Sequence, residues 1–242
     1  TCASALYRAR LAEQQGQRAL ADTLYLSALR SDARAVDRYY QFLGEQQDEL
    51  FPARVSSLLG QIDQLPVAVV QAIGSLLSGL PREHDPQVLQ WLDNAIERDF
   101  GPAMLSKASF LMTAPDRYSP EPVLALIQRL EQRQGESVTL SMAERENPIT
   151  PQRIKALRAS LHMVLWRTLD PQLSQRLITE LQAEQYPEAQ LLEGDLYSQG
   201  GLDEPDQDRA LTLYMAEARQ GSANALLRIA RLYTYGRAIC RD

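Results

Sequence analysis

The sequence contains few of the residues that hold metal ions. Its 242 residues include two cysteines, Cys2 and Cys240, and two histidines, His84 and His162. Structural zinc sites need four such ligands, usually arranged as closely spaced pairs. These four residues are too scattered along the chain to supply them. We therefore expect no metal site and no bound cofactor.

Motifs that carry catalytic chemistry are also missing. The chain has no phosphate-binding loop of the G-x4-G-K-[ST] type and no nucleophile elbow. His84 precedes Asp85, which could in principle form a base with its orienting carboxylate, but the pair stands where a helix is expected to begin. His162 lies among apolar residues and is interpreted as structural. The sequence therefore predicts a protein that is not an enzyme.

Long hydrophobic runs and an excess of positive charge are absent as well. A membrane-spanning helix needs about 18 consecutive apolar residues, and no stretch approaches that length. The 25 basic residues are outnumbered by 31 acidic ones, which gives a net charge of -6. Nucleic-acid-binding proteins normally present a basic face. We expect neither a transmembrane segment nor a nucleic-acid partner.

Local groups of basic residues nevertheless occur on this acidic chain. One group comprises Arg153, Lys155 and Arg158, and the other comprises Arg228, Arg231, Arg237 and Arg241. Such groups can receive a carboxylate-bearing partner or ligand. They can equally form surface salt bridges with the many Asp and Glu residues. Arg153, Arg158, Arg228, Arg231 and Arg237 are the candidate interaction residues.

What the chain does contain is an internal repeat near its end. A set of apolar, small and aromatic residues recurs 36 residues later, with most members unchanged. A fixed period of this length is typical of stacked helical hairpins. The first set is Ala189, Leu192, Gly194, Leu196, Tyr197, Gly200 and Asp206, and the second is Ala225, Arg228, Ala230, Leu232, Tyr233, Gly236 and Asp242.

The spacing within one repeat predicts two helices. Ala189, Leu192 and Leu196 share one helical face, and Gly200 is expected to end that helix. A second apolar stripe follows and ends at Gly221. We interpret the following residues as structural: Ala189, Gly194, Leu196, Tyr197, Gly200, Ala210, Tyr214, Ala218, Gly221, Ala225, Leu232, Tyr233 and Gly236.

The pattern Ala-x2-Leu-x-Gly-x-Leu-Tyr-x2-Gly, followed by Ala-x3-Tyr-x3-Ala-x2-Gly-x3-Ala, resembles the Sel1-like repeat, which is related to the tetratricopeptide repeat. The resemblance covers residues 187–242 and departs from the pattern at Arg228 and Ala230, where Leu and Gly are expected. It implies an all-α fold, an α-solenoid of antiparallel helical hairpins with a right-handed superhelix. It also implies a surface for binding other proteins. In such a fold Cys2 and Cys240 would lie far apart, so no internal disulfide is expected.

The remaining sequence is interpreted as earlier members of one array spanning residues 1–242. Residues 1–84 are expected to form loose tetratricopeptide-like helices, and residues 85–134 a degenerate repeat. Residues 135–150 are a polar connection with room for a short helix, which either carries partner contacts or is a tolerated insertion. Residues 151–242 comprise a helix pair and the regular repeats, with a helix expected over Pro151–Thr168. Because Asp242 falls where a second helix should begin, we expect the last repeat to be truncated and the natural chain to continue.

Three tyrosines in the first part, Tyr25, Tyr39 and Tyr40, could either line a groove or pack between helices. Packing is the favoured interpretation, since the pattern around them is small–large–small.

A wider resemblance concerns the opening helix Cys2–Tyr7, the segment Gln90-Trp91-Leu92-Asp93-Asn94 and the order of loose and then regular repeats. In these features the chain resembles the C-terminal part of the periplasmic scaffold lipoproteins of bacterial alginate export. The resemblance implies a periplasmic location, a lipid anchor in the outer membrane upstream of this segment, and contacts with an export porin and a polymer-modifying enzyme. Two alternatives stay open. One is a general Sel1-like adaptor in another envelope or effector pathway, with a cytoplasmic location possible. The other is direct binding of an anionic polysaccharide through the arginine groups.

Overall fold

The computed structural model describes residues 4–136, 140–199 and 201–239, with side chains as far as Thr234. Throughout these residues the regular structure is helical, without strands, which confirms the predicted all-α class. The α-helices are α1 Ala5–Gln14, α2 Arg18–Ala28, α3 Ala35–Phe42, α4 Gln47–Ser56, α5 Val67–Ser78, α6 Asp85–Glu97, α7 Gly101–Met112, α8 Glu121–Gly135, α9 Met142–Glu146, α10 Pro151–Leu161, α11 Pro171–Ala183, α12 Ala189–Gln199, α13 Gln207–Arg219 and α14 Ala223–Ile239. Short 3₁₀ helices span Gly44–Gln46, Leu59–Gln64 and Arg82–His84.

The chain folds into two compact units. The first unit comprises Thr1–Phe110 and Val138–Pro148, and the second comprises Leu111–Ser137 and Ile149–Asp242. In the first unit α1 packs against α2, and α5 against α6. In the second unit each helix from α10 to α14 packs against the next one, and α8 packs against α10. Contacts between neighbours in sequence therefore dominate the second unit.

Four of the turns between consecutive helices share one geometry. Each places a residue with positive φ two positions after the last helical residue, at Gly16 (73°), Asp99 (55°), Gln185 (59°) and Gly221 (93°). The N–H of the next residue then donates back to a carbonyl five positions earlier, which is the hydrogen bond of the Schellman motif. The four bonds run from Gln17 to Ala12, Phe100 to Ala95, Tyr186 to Leu181 and Ser222 to Glu217. The same compact turn is thus used in both units.

Aromatic side chains form the centre of the first unit. Tyr25 and Tyr39 are 1% and 0% exposed, and their rings lie 5.9 Å apart, next to Phe42. The Tyr39 hydroxyl donates to Asp22 Oδ1 at 2.6 Å. Burial of Tyr25 and Tyr39 confirms the packing interpretation, and these two rings do not line a groove.

The predicted helix Pro151–Thr168 is too long. Helix α10 ends at Leu161, and residues 162–170 form a loop held by hydrogen bonds at several points. The Asp170 N–H donates to the His162 carbonyl at 2.9 Å, and the Trp166 indole N–H donates to the Pro115 carbonyl at 2.9 Å. Leu165 is consequently 82% exposed instead of continuing the buried stripe.

Helix α14 differs from the prediction in the opposite direction. The repeat pattern predicts that the helix ends near Gly236, as α12 ends at Gln199. Instead, α14 continues three residues past Gly236, to Ile239. A single glycine weakens a helix by about 1 kcal/mol but does not by itself end it.

The polar connection contains a buried acidic residue. Within residues 140–148 the short helix α9 begins at Met142, and the Ser141 hydroxyl accepts the Glu144 N–H. Glu144 is 4% exposed, and its Oε1 accepts the N–H of Gly101, the first residue of α7, at 2.9 Å. A carboxylate at a helix N-terminus satisfies a free N–H and opposes the positive end of the helix dipole. This segment therefore has a structural role in the first unit.

Candidate interaction surface

The contact between α12 and α13 depends on the missing side chain of Gly194. A Cβ placed on Gly194 would lie 2.5 Å from Cε1 of Tyr214, which is closer than real carbon contacts. The ring of Tyr214 therefore covers the backbone of Gly194 directly. Leu191, which is 1% exposed, joins Ala210 and Tyr214 of α13 and Ala225 of α14 in one apolar cluster.

A polar cluster next to this contact connects three helices. Asp195 of α12 accepts the Tyr214 hydroxyl at 2.6 Å. The same carboxylate accepts Nε and Nη2 of Arg228, on α14, at 2.8 and 3.0 Å. Paired donors of this kind make the arginine–carboxylate bond strong and directional. Arg228 thus replaces the expected leucine with an ion pair inside the chain.

Electrostatics in this cluster follow from burial and from the carboxylate. Burial, reinforced by the charge and hydrogen bond of Asp195, raises the pKa of Tyr214 above its usual value. Burial opposes the charge of Arg228, but the hydrogen bonds to Asp195 and the charges of Asp195, Tyr214 and Glu188 together outweigh it and raise the pKa of Arg228. Tyr214 stays protonated and Arg228 stays charged at neutral pH.

The structural residues proposed from the repeat differ in burial. Those that are buried are Ala189, Gly194, Leu196, Ala210, Tyr214 and Ala225. Tyr197, Ala218 and Leu232 are half-buried, whereas Gly221 and Tyr233 are exposed. Gly200 lies outside the described residues, and for Gly236 only the place of its backbone in α14 is described.

The predicted basic groups are mostly paired with acidic residues. Arg158 donates to Glu131 at 2.6 Å, and Lys155 contacts Glu184 at 2.8 Å and Glu180 at 3.1 Å. Arg153 is half-buried on the same helix. The structure therefore places acidic side chains among these cations and does not join them into a continuous basic surface.

Arg231 is the exception within α14. Three residues after Arg228, it is exposed, and no carboxylate of the described residues lies within ion-pair distance. Arg237 and Arg241 lie beyond the described side chains. The two remaining arginines of the second basic group therefore differ. Arg228 is paired within the chain, whereas Arg231 faces solvent.

Open cavities in the second unit lie between neighbouring helices. One of about 370 Å³ has a mostly apolar surface and is lined by Glu131, Gln134, Pro151, Ile154, Lys155, Arg158 and Leu177. Another, of about 480 Å³, adjoins the loop after α10 and is lined by Met112, Pro115, Met163, Val164, Leu165, Leu169, Gln199 and Gly201.

The outer face of α14 carries the largest group of exposed apolar side chains on any one described helix. Leu226, Leu227 and Tyr233 are 58%, 52% and 57% exposed. Leu227 stands 36 residues after Leu191 and Arg231 stands 36 after Asp195, so both belong to the repeat. Leu191, Asp195 and Leu227 were not among the residues singled out from the sequence. The recurrence of leucine after 36 residues, at Leu191 and Leu227, was a signal that could have identified these two.

The described residues include neither a cluster that could hold a metal ion nor a helix that could cross a membrane. They contain no group of three or more His, Cys, Asp or Glu side chains placed to share a metal ion. His162 Nδ1 lies 2.7 Å from the Thr168 carbonyl, and His84 directly precedes α6. Cys2 and Cys240 lie outside the described residues. None of the described helices is both long and apolar enough to span a membrane.

Comparison with family models, curated proteins and solved structures gave no match to the chain.

Proposed function

We propose that this chain is a non-enzymatic scaffold that binds other proteins, built as an α-solenoid of antiparallel helical hairpins with a right-handed superhelix. The observation that carries the proposal is the second unit, in which successive helices from α10 to α14 each pack on the next and two of the connecting turns repeat one geometry 36 residues apart. Proteins made from stacked repeats use their extended surfaces mainly for binding.

The distribution of side chains supports a binding role. The repeat residues Gly194, Ala210, Tyr214 and Ala225 are buried in contacts between helices. Apolar side chains remain exposed on α14 and on the loop after α10. Grouped exposed apolar residues are typical of protein-interaction sites.

For the biological setting we propose a component of bacterial exopolysaccharide secretion of the alginate type, located in the periplasm and tethered to the outer membrane. Its partners would be an export porin and a polymer-modifying enzyme. The support is the sequence resemblance to Sel1-like repeats and to alginate-export scaffolds. A Sel1-like adaptor of another pathway is the alternative within the same class.

Retention from a bacterial envelope extract tests the scaffold proposal. The immobilised chain is incubated with extract that has been treated with alginate lyase, with protease, or with neither. A protein scaffold predicts that retained material survives the lyase and disappears after protease treatment.

The opposite pattern would support direct glycan binding and contradict the scaffold. Arg231→Glu serves as the charge variant in this assay, because Arg228→Glu would break the pair with Asp195 and confuse folding with binding. If the chain binds glycan directly, the Arg231→Glu variant should retain less material than the parent at low salt. If the chain is a protein scaffold, this variant should still retain most of the proteins.

A further inference from the structure

A groove of about 480 Å³ lies between two equivalent turns of the repeat, the turn at Gln185 and the turn at Gly221. Its lining is drawn from residues 182–190 on one side and from residues 217–222 on the other, all within the second unit. Because the two turns stand 36 residues apart, the groove lies between successive copies of the repeat. Most of its lining side chains are polar, which distinguishes it from the more apolar cavities of this unit.

Several polar side chains of the groove have no partner among the described residues. The side-chain amides of Gln185, Gln190 and Gln220 line the groove and form no hydrogen bond to those residues. The half-buried Tyr186 carries a hydroxyl that is likewise without a partner there. Each amide offers both donors and an acceptor, which is the combination that an extended polypeptide backbone requires. The groove can therefore pair with the backbone of a bound segment.

The charge of the groove is negative. Glu188 and Glu217 line it, no lysine or arginine does, and neither glutamate forms an ion pair with a described residue. Glu188 accepts an N–H of Asn224 at 3.0 Å, but a neutral donor does not cancel its charge. Burial, followed by the charge of Glu188, raises the pKa of Tyr186, whereas the charge of Arg153 outside the lining lowers it. A cationic side chain would complement this groove, and an anionic polysaccharide would be repelled by it.

The residue at the first turn supports a role for the groove. Gln185 adopts a φ of 59°, whereas the equivalent turn of the next copy has Gly221 at 93°. A side chain in this conformation costs free energy that glycine avoids. Because the side chain of Gln185 lines the groove, binding there gives a reason for glutamine at this position.

We propose that this groove binds an extended segment of a partner protein that contains a lysine or an arginine. The cation lies against Glu188 and Glu217, and the unpartnered amides pair with the backbone of the segment. Charge complementarity selects this occupant over an anionic glycan, because both charged side chains of the lining are carboxylates. This inference rests on the proposed scaffold function and names the chemistry of one partner segment.

Selection of peptides on the whole chain tests the proposal. A phage library of random heptapeptides is selected on the immobilised parent, and fluorescein-labelled copies of the selected peptides are then measured by fluorescence anisotropy. Binding is compared among the parent, the double variant Glu188→Gln with Glu217→Gln, and Gln185→Gly. Glutamine removes each charge but keeps the size of the side chain and the acceptor for Asn224. Glu204→Gln is the matched control, because Glu204 is an exposed glutamate of the same unit outside the groove.

We expect the selected peptides to be enriched in lysine or arginine. Their affinity should fall about tenfold on the double variant, which is roughly the contribution of two exposed ion pairs, and should fall further as salt is added. Gln185→Gly should weaken binding about threefold through the loss of one hydrogen-bonding side chain. Because glycine relieves the strained turn, this loss of affinity would not come from unfolding. Glu204→Gln should change nothing, and circular dichroism checks that each variant is folded.

Three results would overturn the proposal. One is a selection that yields no peptide, or peptides without enrichment of lysine and arginine. Another is equal affinity of the selected peptides for the parent and the double variant. The third is displacement of the peptides by the neutral glycan maltoheptaose, since the groove would then be a sugar site. If the peptides fail while envelope proteins are still retained by the chain, only the assignment of the groove is lost and the scaffold function stands.

Discussion

Single residues in left-handed conformation close four of the helix–helix turns, and two of these residues have a side chain. Asp99 and Gln185 adopt φ values of 55° and 59°, in equivalent places to Gly16 and Gly221. A side chain in this conformation costs about 1–2 kcal/mol relative to the right-handed one, and glycine avoids the cost. The turn is thus set by the backbone hydrogen bonds more than by the residue that occupies it.

Gln185→Gly should therefore stabilise the second unit by about 0.5–1 kcal/mol, since glycine relieves the strain but adds entropy to the unfolded chain. Gly221→Ala, at the equivalent turn, should destabilise it by about 1 kcal/mol. Urea unfolding with an unchanged m value provides the measurement. An unchanged midpoint for both variants would show that the turns are not under this constraint.

Adding a side chain at Gly194 tests whether the close contact of α12 and α13 is required. Gly194→Ala should destabilise the protein by about 1–3 kcal/mol, because the new methyl group would displace the ring of Tyr214. Gly60→Ala is the control, since a Cβ there meets nothing within 4 Å and Gly60 does not have positive φ. Thermal unfolding of both variants decides the matter. Equal losses would mean that the close contact of α12 and α13 is not required.

Tyrosine–carboxylate pairs predict sensitivity to alkaline pH. Burial and the hydrogen bond to Glu13 raise the pKa of Tyr25 to about 12, and burial and Asp48 raise that of Tyr40 to about 12. Between pH 10 and 12 these tyrosines ionise only in the unfolded chain, so the stability present below pH 10 is lost as the pH rises. A group that titrates only in the unfolded chain contributes a slope of at most about 1.4 kcal/mol per pH unit. Solvent screening of the exposed Tyr40–Asp48 pair makes its share smaller than that of Tyr25.

Urea unfolding measured between pH 9 and 11.5 should show this decline. Tyr25→Phe removes one titrating group, so its free energy of unfolding should fall less steeply, by about one proton. An identical slope for the variant and the parent would show that Tyr25 does not titrate in this way.

At the scale of elements, the loop of residues 162–170 differs from the compact turns. It exposes Leu165 but is fixed to Pro115 by the indole of Trp166, and Arg167 forms an ion pair with Glu121. Both anchors lie within the second unit. An exposed apolar side chain on an anchored loop suits protein recognition, since less order is lost on binding.

Trp166→Phe should loosen this loop. It leaves the Pro115 carbonyl without the indole donor, at a cost of about 1–2 kcal/mol, and should speed cleavage within residues 162–170 in limited proteolysis. Leu165→Ser, next to it, removes no buried contact and should leave stability unchanged. Similar cleavage rates for Trp166→Phe and the parent would show that the anchor is dispensable.

The sequence pattern predicted elements wherever local periodicity was strong. Helix α12 buries Ala189, Leu192 and Leu196 in one cluster, as their shared face predicts, and Gly221 forms the expected turn before α14. The pattern failed where contacts between residues distant in sequence determine the local structure. The apolar residues Val164 and Leu165 continue the helical pattern, but hydrogen bonds from Trp166 and Asp170 hold them in a loop. Glu144 accepts the first N–H of a helix that begins 43 residues earlier, and local spacing in the sequence cannot predict such a hydrogen bond.

The candidate surface was predictable to the same limited extent. Arg228 and Arg231 were identified as a basic pair, but only the structure shows that Asp195 engages Arg228 and leaves Arg231 exposed. Asp195 occupies a variable position of the repeat pattern, so the pattern carried no information about it. The turns at Asp99 and Gln185 could likewise not be predicted from the sequence, because glycine is the usual signal for a residue with positive φ.

At the scale of the whole molecule, the proposed scaffold is an array of helical hairpins whose exposed faces hold other proteins. A scaffold in this sense must hold two different proteins at once. The two compact units and the separate exposed groups on α14 and on the loop after α10 offer more than one place for them.

Native mass spectrometry of the complexes that the chain retains from lyase-treated envelope extract is the most direct test. If the chain is a scaffold, we expect an assembly that contains one copy of the chain and two different proteins. Finding the chain only alone, or only with glycan, would contradict it.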